Sequence, residues 1–121
     1  GSTMLLIYLI MVYSAMVTDF VSSVCAPGSY YWYHPWYHQQ CYPCVPGTYK
    51  TYAGNTNCNY CSPGTYSSSG AISCTECEAG KYQPYEGQSL CEVCEEGKTT
   101  IRIGSTSKSE CVCAPGHYYK S

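Results

Sequence analysis

Cys44-Val45-Pro46-Gly47-Thr48-Tyr49, Cys61-Ser62-Pro63-Gly64-Thr65-Tyr66 and Cys77-Glu78-Ala79-Gly80-Lys81-Tyr82 are one phrase written three times: a cysteine, a glycine three positions on, and a tyrosine two after that. The same phrase heads Cys25-Ala26-Pro27-Gly28-Ser29-Tyr30 and Cys113-Ala114-Pro115-Gly116-His117-Tyr118, and Cys94-Glu95-Glu96-Gly97-Lys98-Thr99 repeats it with Thr in the Tyr place. The cysteines fall at 25, 41, 44, 58, 61, 74, 77, 91, 94, 111 and 113, giving four C-x-x-C doublets and one C-x-C. Self-similarity at a period of 16 to 20 residues marks a repeat array.

Each phrase reads as a turn. Pro holds φ near −65° and the following Gly takes the positive φ that a type II turn requires. The Tyr then opens a short extended segment, and a second Gly (Gly54, Gly70, Gly87) four residues before the next cysteine marks the return. The expected unit is a small irregular β-hairpin, with the Tyr ring laid over a disulfide. The fifth unit departs from this pattern with a longer loop through Ile101, Ile103 and Gly104.

Composition says the same thing from another side. The 121 residues contain 11 Cys, 15 Tyr, 11 Gly and 7 Pro, but charged residues make up only 12%. From Cys25 onward the large aliphatic side chains are Val45, Ile72, Leu90, Val93, Ile101, Ile103 and Val112. That set cannot offset a backbone entropy of roughly 1–2 kcal/mol per residue, so covalent staples must replace a core. The net charge of −2 and the absence of Lys or Arg before Lys50 exclude a nucleic-acid partner and a polybasic membrane patch.

Ten bonded cysteines allow on the order of hundreds of connectivities. The simplest joins each turn cysteine to the first of the next doublet: Cys25–Cys41, Cys44–Cys58, Cys61–Cys74, Cys77–Cys91 and Cys94–Cys111. Loops of this size are worth roughly 3 kcal/mol each in the chain-entropy model. Cys113 is left unpaired, as the head of a sixth unit that this chain truncates; an intermolecular disulfide is the second choice. Zinc is the rival, since the doublet spacing also suits zinc ribbons, with Cys41, Cys44, Cys58 and Cys61 as one site and Cys74, Cys77, Cys91 and Cys94 as another. The solitary Cys25 heading a full unit and the unbroken run of units favour disulfides, so no metal or cofactor is expected.

The run from Met4 to Val17 is almost wholly apolar and is followed by Val21-Ser22-Ser23. It has the length of a signal-peptide core and is shorter than the roughly 20 residues of a membrane span. A retained short anchor or docked apolar helix is the alternative, and only then is a membrane contact expected. Gly1-Ser2-Thr3 reads as a tag scar. Secretion implies an oxidising compartment, which again suits disulfides.

From Cys25 to the end, the six aligned Gly, the aligned Tyr and the doublets resemble the ephrin-receptor-like cysteine-rich repeat. The stretch from Cys77 to Cys91, with Gly97-Lys98-Thr99-Thr100 and Cys113 to Tyr119, is also similar to the spacer repeats of secreted signal-peptide, CUB and EGF-like-domain proteins. The resemblance implies an elongated extracellular module of receptors, matrix proteins and surface coats, and carries over no catalytic residue. Tumour-necrosis-factor-receptor domains share the opening loop but have a tighter cysteine knot that is absent here.

The remaining chemistry is sparse. Pro35 lies between His34 and His38, which argues against a helical metal pair. Glu76, Glu78, Glu92, Glu95 and Glu96 lack the alternation of a calcium loop and read as a solvated face. No catalytic constellation stands out, so an enzyme is not expected. The segment that stands apart is Tyr30-Tyr31-Trp32-Tyr33-His34-Pro35-Trp36-Tyr37-His38-Gln39-Gln40, aromatic and uncharged. Tyr31, Trp32, Tyr33, Trp36 and Tyr37 are the candidate binding surface, for a protein partner, a neighbouring copy or a glycan; the opposing reading folds these rings onto the next unit.

The expectation is therefore a small disulfide-rich protein: a linear array of short irregular β-hairpin units with little hydrophobic core, preceded by an apolar N-terminal segment. Its parts are 1–3 (scar), 4–23 (apolar segment), 25–43 (aromatic unit), 44–60, 61–76, 77–93, 94–112, and 113–121 (start of a sixth unit). The expected role is a secreted or cell-surface structural and binding module, with a receptor ectodomain fragment that binds a soluble ligand as the alternative and a zinc scaffold behind it.

Overall fold

The computed structural model describes residues 24–116, with the side chains of residues 37–39 left aside. The expected scar, the apolar segment 4–23, and His117 and Tyr118 lie outside the described residues. Among the described residues ten short strands pair consecutively into five two-stranded antiparallel sheets: β1 (Ser29–His34) with β2 (Tyr37–Pro43), β3 (Thr48–Tyr49) with β4 (Asn59–Tyr60), β5 (Thr65–Tyr66) with β6 (Thr75–Glu76), β7 (Lys81–Tyr82) with β8 (Glu92–Val93), and β9 (Lys98–Thr100) with β10 (Cys111–Cys113). Among the described residues no helix is long and apolar enough to cross a membrane.

The turn chemistry explains each hairpin. In the second, Thr48 N–H donates to Val45 O at 3.0 Å across Pro46-Gly47, and Gly47 has φ 88°. That is the type II arrangement, in which only Gly avoids strain at the third position. The hydroxyls of Ser29, Thr48 and Thr65 donate back to the first turn residue at 2.6–2.7 Å. In the fourth and fifth hairpins an ion pair spans the same two positions, Lys81 to Glu78 at 3.7 Å and Lys98 to Glu95 at 3.4 Å. Two of the acidic residues thus belong to the turns.

Five disulfides close the loops: Cys25–Cys41, Cys44–Cys58, Cys61–Cys74, Cys77–Cys91 and Cys94–Cys111, with sequence separations of 16, 14, 13, 14 and 17. Each C-x-x-C doublet is split between two disulfides, so no doublet offers a pair of thiolates to one ion.

Backbone groups stitch the hairpins together in a repeating register. The return glycine of one hairpin donates its N–H to the head cysteine carbonyl of the hairpin before it: Gly54 to Cys25, Gly70 to Cys44, Gly87 to Cys61 and Gly104 to Cys77, at 2.7–2.9 Å. Contacts also reach the next hairpin but one. The carbonyl oxygens of Gly70, Gly87 and Gly104 lie against Gly28, Gly47 and Gly64, so close that a Cβ on those three would stand 2.2–2.4 Å from them. The extra length of the fifth loop falls after Gly104, where the 3₁₀ turn Lys108–Glu110 takes it up.

What is buried matches this stitching. Cys25, Cys44, Cys61 and Cys77 are fully enclosed, joined by Tyr82 and Cys94, while Thr48, Lys50, Ser67, Gln83, Thr100 and Ser105 are the buried polar residues. Lys50, Ser67, Gln83 and Thr100 occupy one slot, the residue after the repeated Tyr or Thr. Lys50 Nζ donates to Ser29 O at 2.8 Å and to Gly54 O. Ser67 Oγ donates to Thr48 O at 2.9 Å and accepts from Gly47 N–H at 3.1 Å. Gln83 Nε2 reaches Leu90 O at 2.8 Å, and Thr100 Oγ1 accepts from Gly80 N–H at 3.0 Å. Among the described residues no buried side-chain polar atom lacks a partner, as buried polar groups require.

Cys113 departs from the pattern. In the first four hairpins the second cysteine of the doublet donates its N–H to the head glycine, as Cys61 does to Gly47 O at 2.9 Å, but in the fifth Ala114 N–H bonds Gly97 O at 2.9 Å. Cys113 instead pairs with Lys98 in the β9–β10 ladder, one position early, and its thiol is free. Gly116 still has φ 87°, so the turn phrase persists while its link to the preceding hairpin has slipped by a residue.

Candidate contact surface

The first hairpin differs from the others because its loop has no Gly after Gly28 and is rich in Tyr and Trp, which favour extended backbone. Its strands run six and seven residues, against two or three elsewhere. Pairing follows Tyr30↔Tyr42, Tyr31↔Cys41 and Trp32↔Gln40, then slips between Trp32 and His34 before His34↔Tyr37. The turn is Pro35-Trp36, where Trp36 N–H donates to His34 Nδ1 at 3.3 Å. His34 ends β1 and His38 lies in β2, so neither is on a helix.

The candidate residues do not share one face. Side chains alternate along a strand, so Tyr30 and Trp32 lie on one side of β1 and Tyr31 on the other. Trp32 is 55% exposed, Tyr33 70% and Trp36, at the tip, 84%, while Tyr31 is half-buried. Tyr37 is placed in β2, and its side chain lies outside the description.

The Tyr30 and Trp32 face also carries residues the candidate set omits. The Tyr30 and Tyr42 rings sit 6.1 Å apart, tilted by 36°, and Tyr42 Oη donates to Gln40 Oε1 at 3.2 Å. A hollow of about 370 Å³ is lined by Tyr30, Trp32, Val45, Thr48, Asn57, Cys58 and Tyr60, joining the first hairpin to the second. A neighbouring one of about 290 Å³ is lined by Tyr30, Trp32, His34 and Tyr42. Tyr30 and Trp32 are therefore the shared wall between two hollows. The strand register alone would have paired Tyr42 with Tyr30; Asn57 and Tyr60 required the placement of the second hairpin. No lining side chain carries a formal charge if His34 is neutral.

Among the described residues the charged groups with shifted acidity lie elsewhere. The Lys108 ammonium, 3.2 Å from Glu95, and Lys98 hold the Glu95 carboxyl below its usual value. Burial, with the nearby Glu92 carboxylate, pushes the Tyr82 phenol up.

A disulfide-stapled array of hairpin repeats held by backbone stitching, with an aromatic hairpin as the first described, defines a cysteine-rich repeat module of the extracellular type. Residues 64–111 match the family described as tyrosine-protein kinase ephrin type A/B receptor-like, which together with the disulfides supports an ephrin-receptor-like cysteine-rich repeat array. The chain is also similar to endosome/lysosome-associated apoptosis and autophagy regulator family member 2 of mouse and of human, 45% identical to each over 38 residues. Those residues are 31% of this chain and span 4% of either relative. The aromatic hairpin lies outside the family match.

Proposed function

We propose that the chain is a secreted or cell-surface structural and binding module, not an enzyme, in which residues 25–43 make protein contacts or self-associate while 44–60, 61–76, 77–93 and 94–112 support them. The observation that carries this reading is the first hairpin, whose Trp36, Tyr33 and Trp32 stand exposed without a charged residue anywhere in the loop. Large exposed aromatic side chains mark interaction sites, and Trp and Tyr dominate their energetics. The β1 and β2 strands are also the long ones among the described residues, and a second chain can pair along such a strand.

The test is the double variant Trp32→Ser, Trp36→Ser, examined by sedimentation against concentration and by capture of soluble ligands. The expected result is an intact set of disulfides with association or capture lost. Unchanged association and capture would remove the reading. Capture by a protein that stays monomeric at every concentration would select the receptor-ectodomain form over self-assembly.

A further inference from the structure

We infer that the Tyr30–Trp32 face binds a neutral oligosaccharide, with Trp32 as the central stacking platform and Tyr60 and Asn57 completing the site. This goes beyond the protein-contact reading, and of the two tryptophans replaced in that reading's test it uses Trp32 alone, since Trp36 lines neither hollow.

Three observations point to this ligand. The larger hollow falls within the size range of small-molecule sites, about 300–1,000 Å³. It lies beside a second one across the same two rings, so an elongated ligand can place successive residues on either side of Trp32. The walls also mix flat apolar surface with neutral polar groups. Tyr30, Trp32 and Tyr60 supply rings and Val45 an aliphatic patch, while the exposed Asn57 carboxamide and the Tyr30 and Tyr60 hydroxyls supply donors and acceptors. A sugar ring has that same duality: C–H groups on its faces suit aromatic rings, and hydroxyls on its rim suit amides and phenols.

Charge decides between classes of sugar. No Lys or Arg lines either hollow. The nearest basic residue in sequence, Lys50, is buried and engaged with Ser29 O and Gly54 O. A sulfated, sialylated or phosphorylated ligand finds neither Lys nor Arg here, and in the larger hollow would lose hydration without a counter-ion. The site is also held in shape. The Cys25–Cys41 and Cys44–Cys58 disulfides fix both hairpins, and the Tyr60 ring edge lies against Gly87, where a Cβ would stand 3.0 Å from Tyr60 Cδ1.

The experiment uses the Trp36→Phe variant, which leaves Trp32 as the single tryptophan reporter. Its emission is followed while cellotriose, tri-N-acetylchitotriose and a heparin-derived tetrasaccharide are added in turn. The expected result is a saturable shift with at least one neutral trisaccharide, with a Kd on the order of 1 mM for so open a site. Asn57→Ala and Tyr60→Ala, both at exposed positions, should each weaken it about tenfold, the loss of one hydrogen bond or one stacked ring. No saturable change with either neutral trisaccharide, equal or tighter binding of the heparin fragment, or unaltered binding in both variants would overturn the inference. Non-reducing mass spectra showing five disulfides in each variant keep misfolding from being mistaken for loss of the site. Failure here leaves the Trp32, Trp36 association test standing, because its readout is protein contact.

Discussion

Gly47→Ala and Gly80→Ala form a matched pair that isolates the contact between hairpins two apart. Both glycines are the third residue of a head turn, with φ 88° and 89°, and each carbonyl accepts the N–H of the next doublet's second cysteine at 2.9 Å. Alanine at either position suffers the strain of positive φ, roughly 1–2 kcal/mol, with the same small gain from a stiffer unfolded chain. What differs is the neighbour. A Cβ at Gly47 would stand 2.2 Å from Gly87 O and 2.6 Å from Gly87 C, backbone atoms held by the Gly87 N–H bond to Cys61 O at 2.7 Å, whereas at Gly80 it meets only Thr99 Oγ1 at 3.5 Å. Forcing a methyl into packed backbone costs about 1–3 kcal/mol more. The disulfides keep the chain compact, so the suitable readout is hydrogen exchange of single amides, Cys61 in the first variant and Cys94 in the second. An excess of about 1–3 kcal/mol corresponds to roughly 5- to 150-fold greater loss of protection at Cys61. Equal losses, or a larger loss at Cys94, would refute the idea that stacking beyond the nearest neighbour holds the array.

Two further outcomes follow from the buried slot and from the charged turn. Lys50→Ala removes the bonds to Ser29 O and Gly54 O, so the first two hairpins should loosen by about 1–3 kcal/mol, read as faster exchange at the Gly28 and Gly54 amides with that of Cys94 unchanged. Glu95 should titrate below the usual glutamate range by carbon-detected NMR, because Lys108 and Lys98 favour its charged form. Its folded-state value is depressed, so its stabilising contribution is present above the unfolded value and lost as pH falls through the folded one. Lys108→Ala should move the Glu95 midpoint up, and a midpoint that stays put would remove the pairing.

The repeated Cys, Gly and Tyr made the hairpin array readable because turn geometry is a local demand: a positive φ after Pro leaves few residues to choose from. The return glycines Gly70 and Gly87 were visible for the same reason, yet their second task was hidden. They meet Gly28 and Gly47 through bare backbone, and a contact defined by missing side chains leaves no hydrophobic period to detect. The buried slot was also obscure, since Lys50, Ser67, Gln83 and Thr100 share a position without sharing a chemistry. Cys113 aligned with the head cysteines by its following Pro115-Gly116, but strand register, which spacing does not encode, placed it opposite Lys98. The aromatic loop announced itself by composition. Which rings share a face depended on the β1–β2 register and on the second hairpin bringing Tyr60 and Asn57 beside Trp32.

The array stands or falls on its staples, so non-reduced peptide mapping after alkylation without reductant is the direct test. The structure predicts label on Cys113 alone and five linked pairs, Cys25–Cys41, Cys44–Cys58, Cys61–Cys74, Cys77–Cys91 and Cys94–Cys111. A linkage within a doublet, such as Cys41 to Cys44, or label on both members of any doublet, would contradict it.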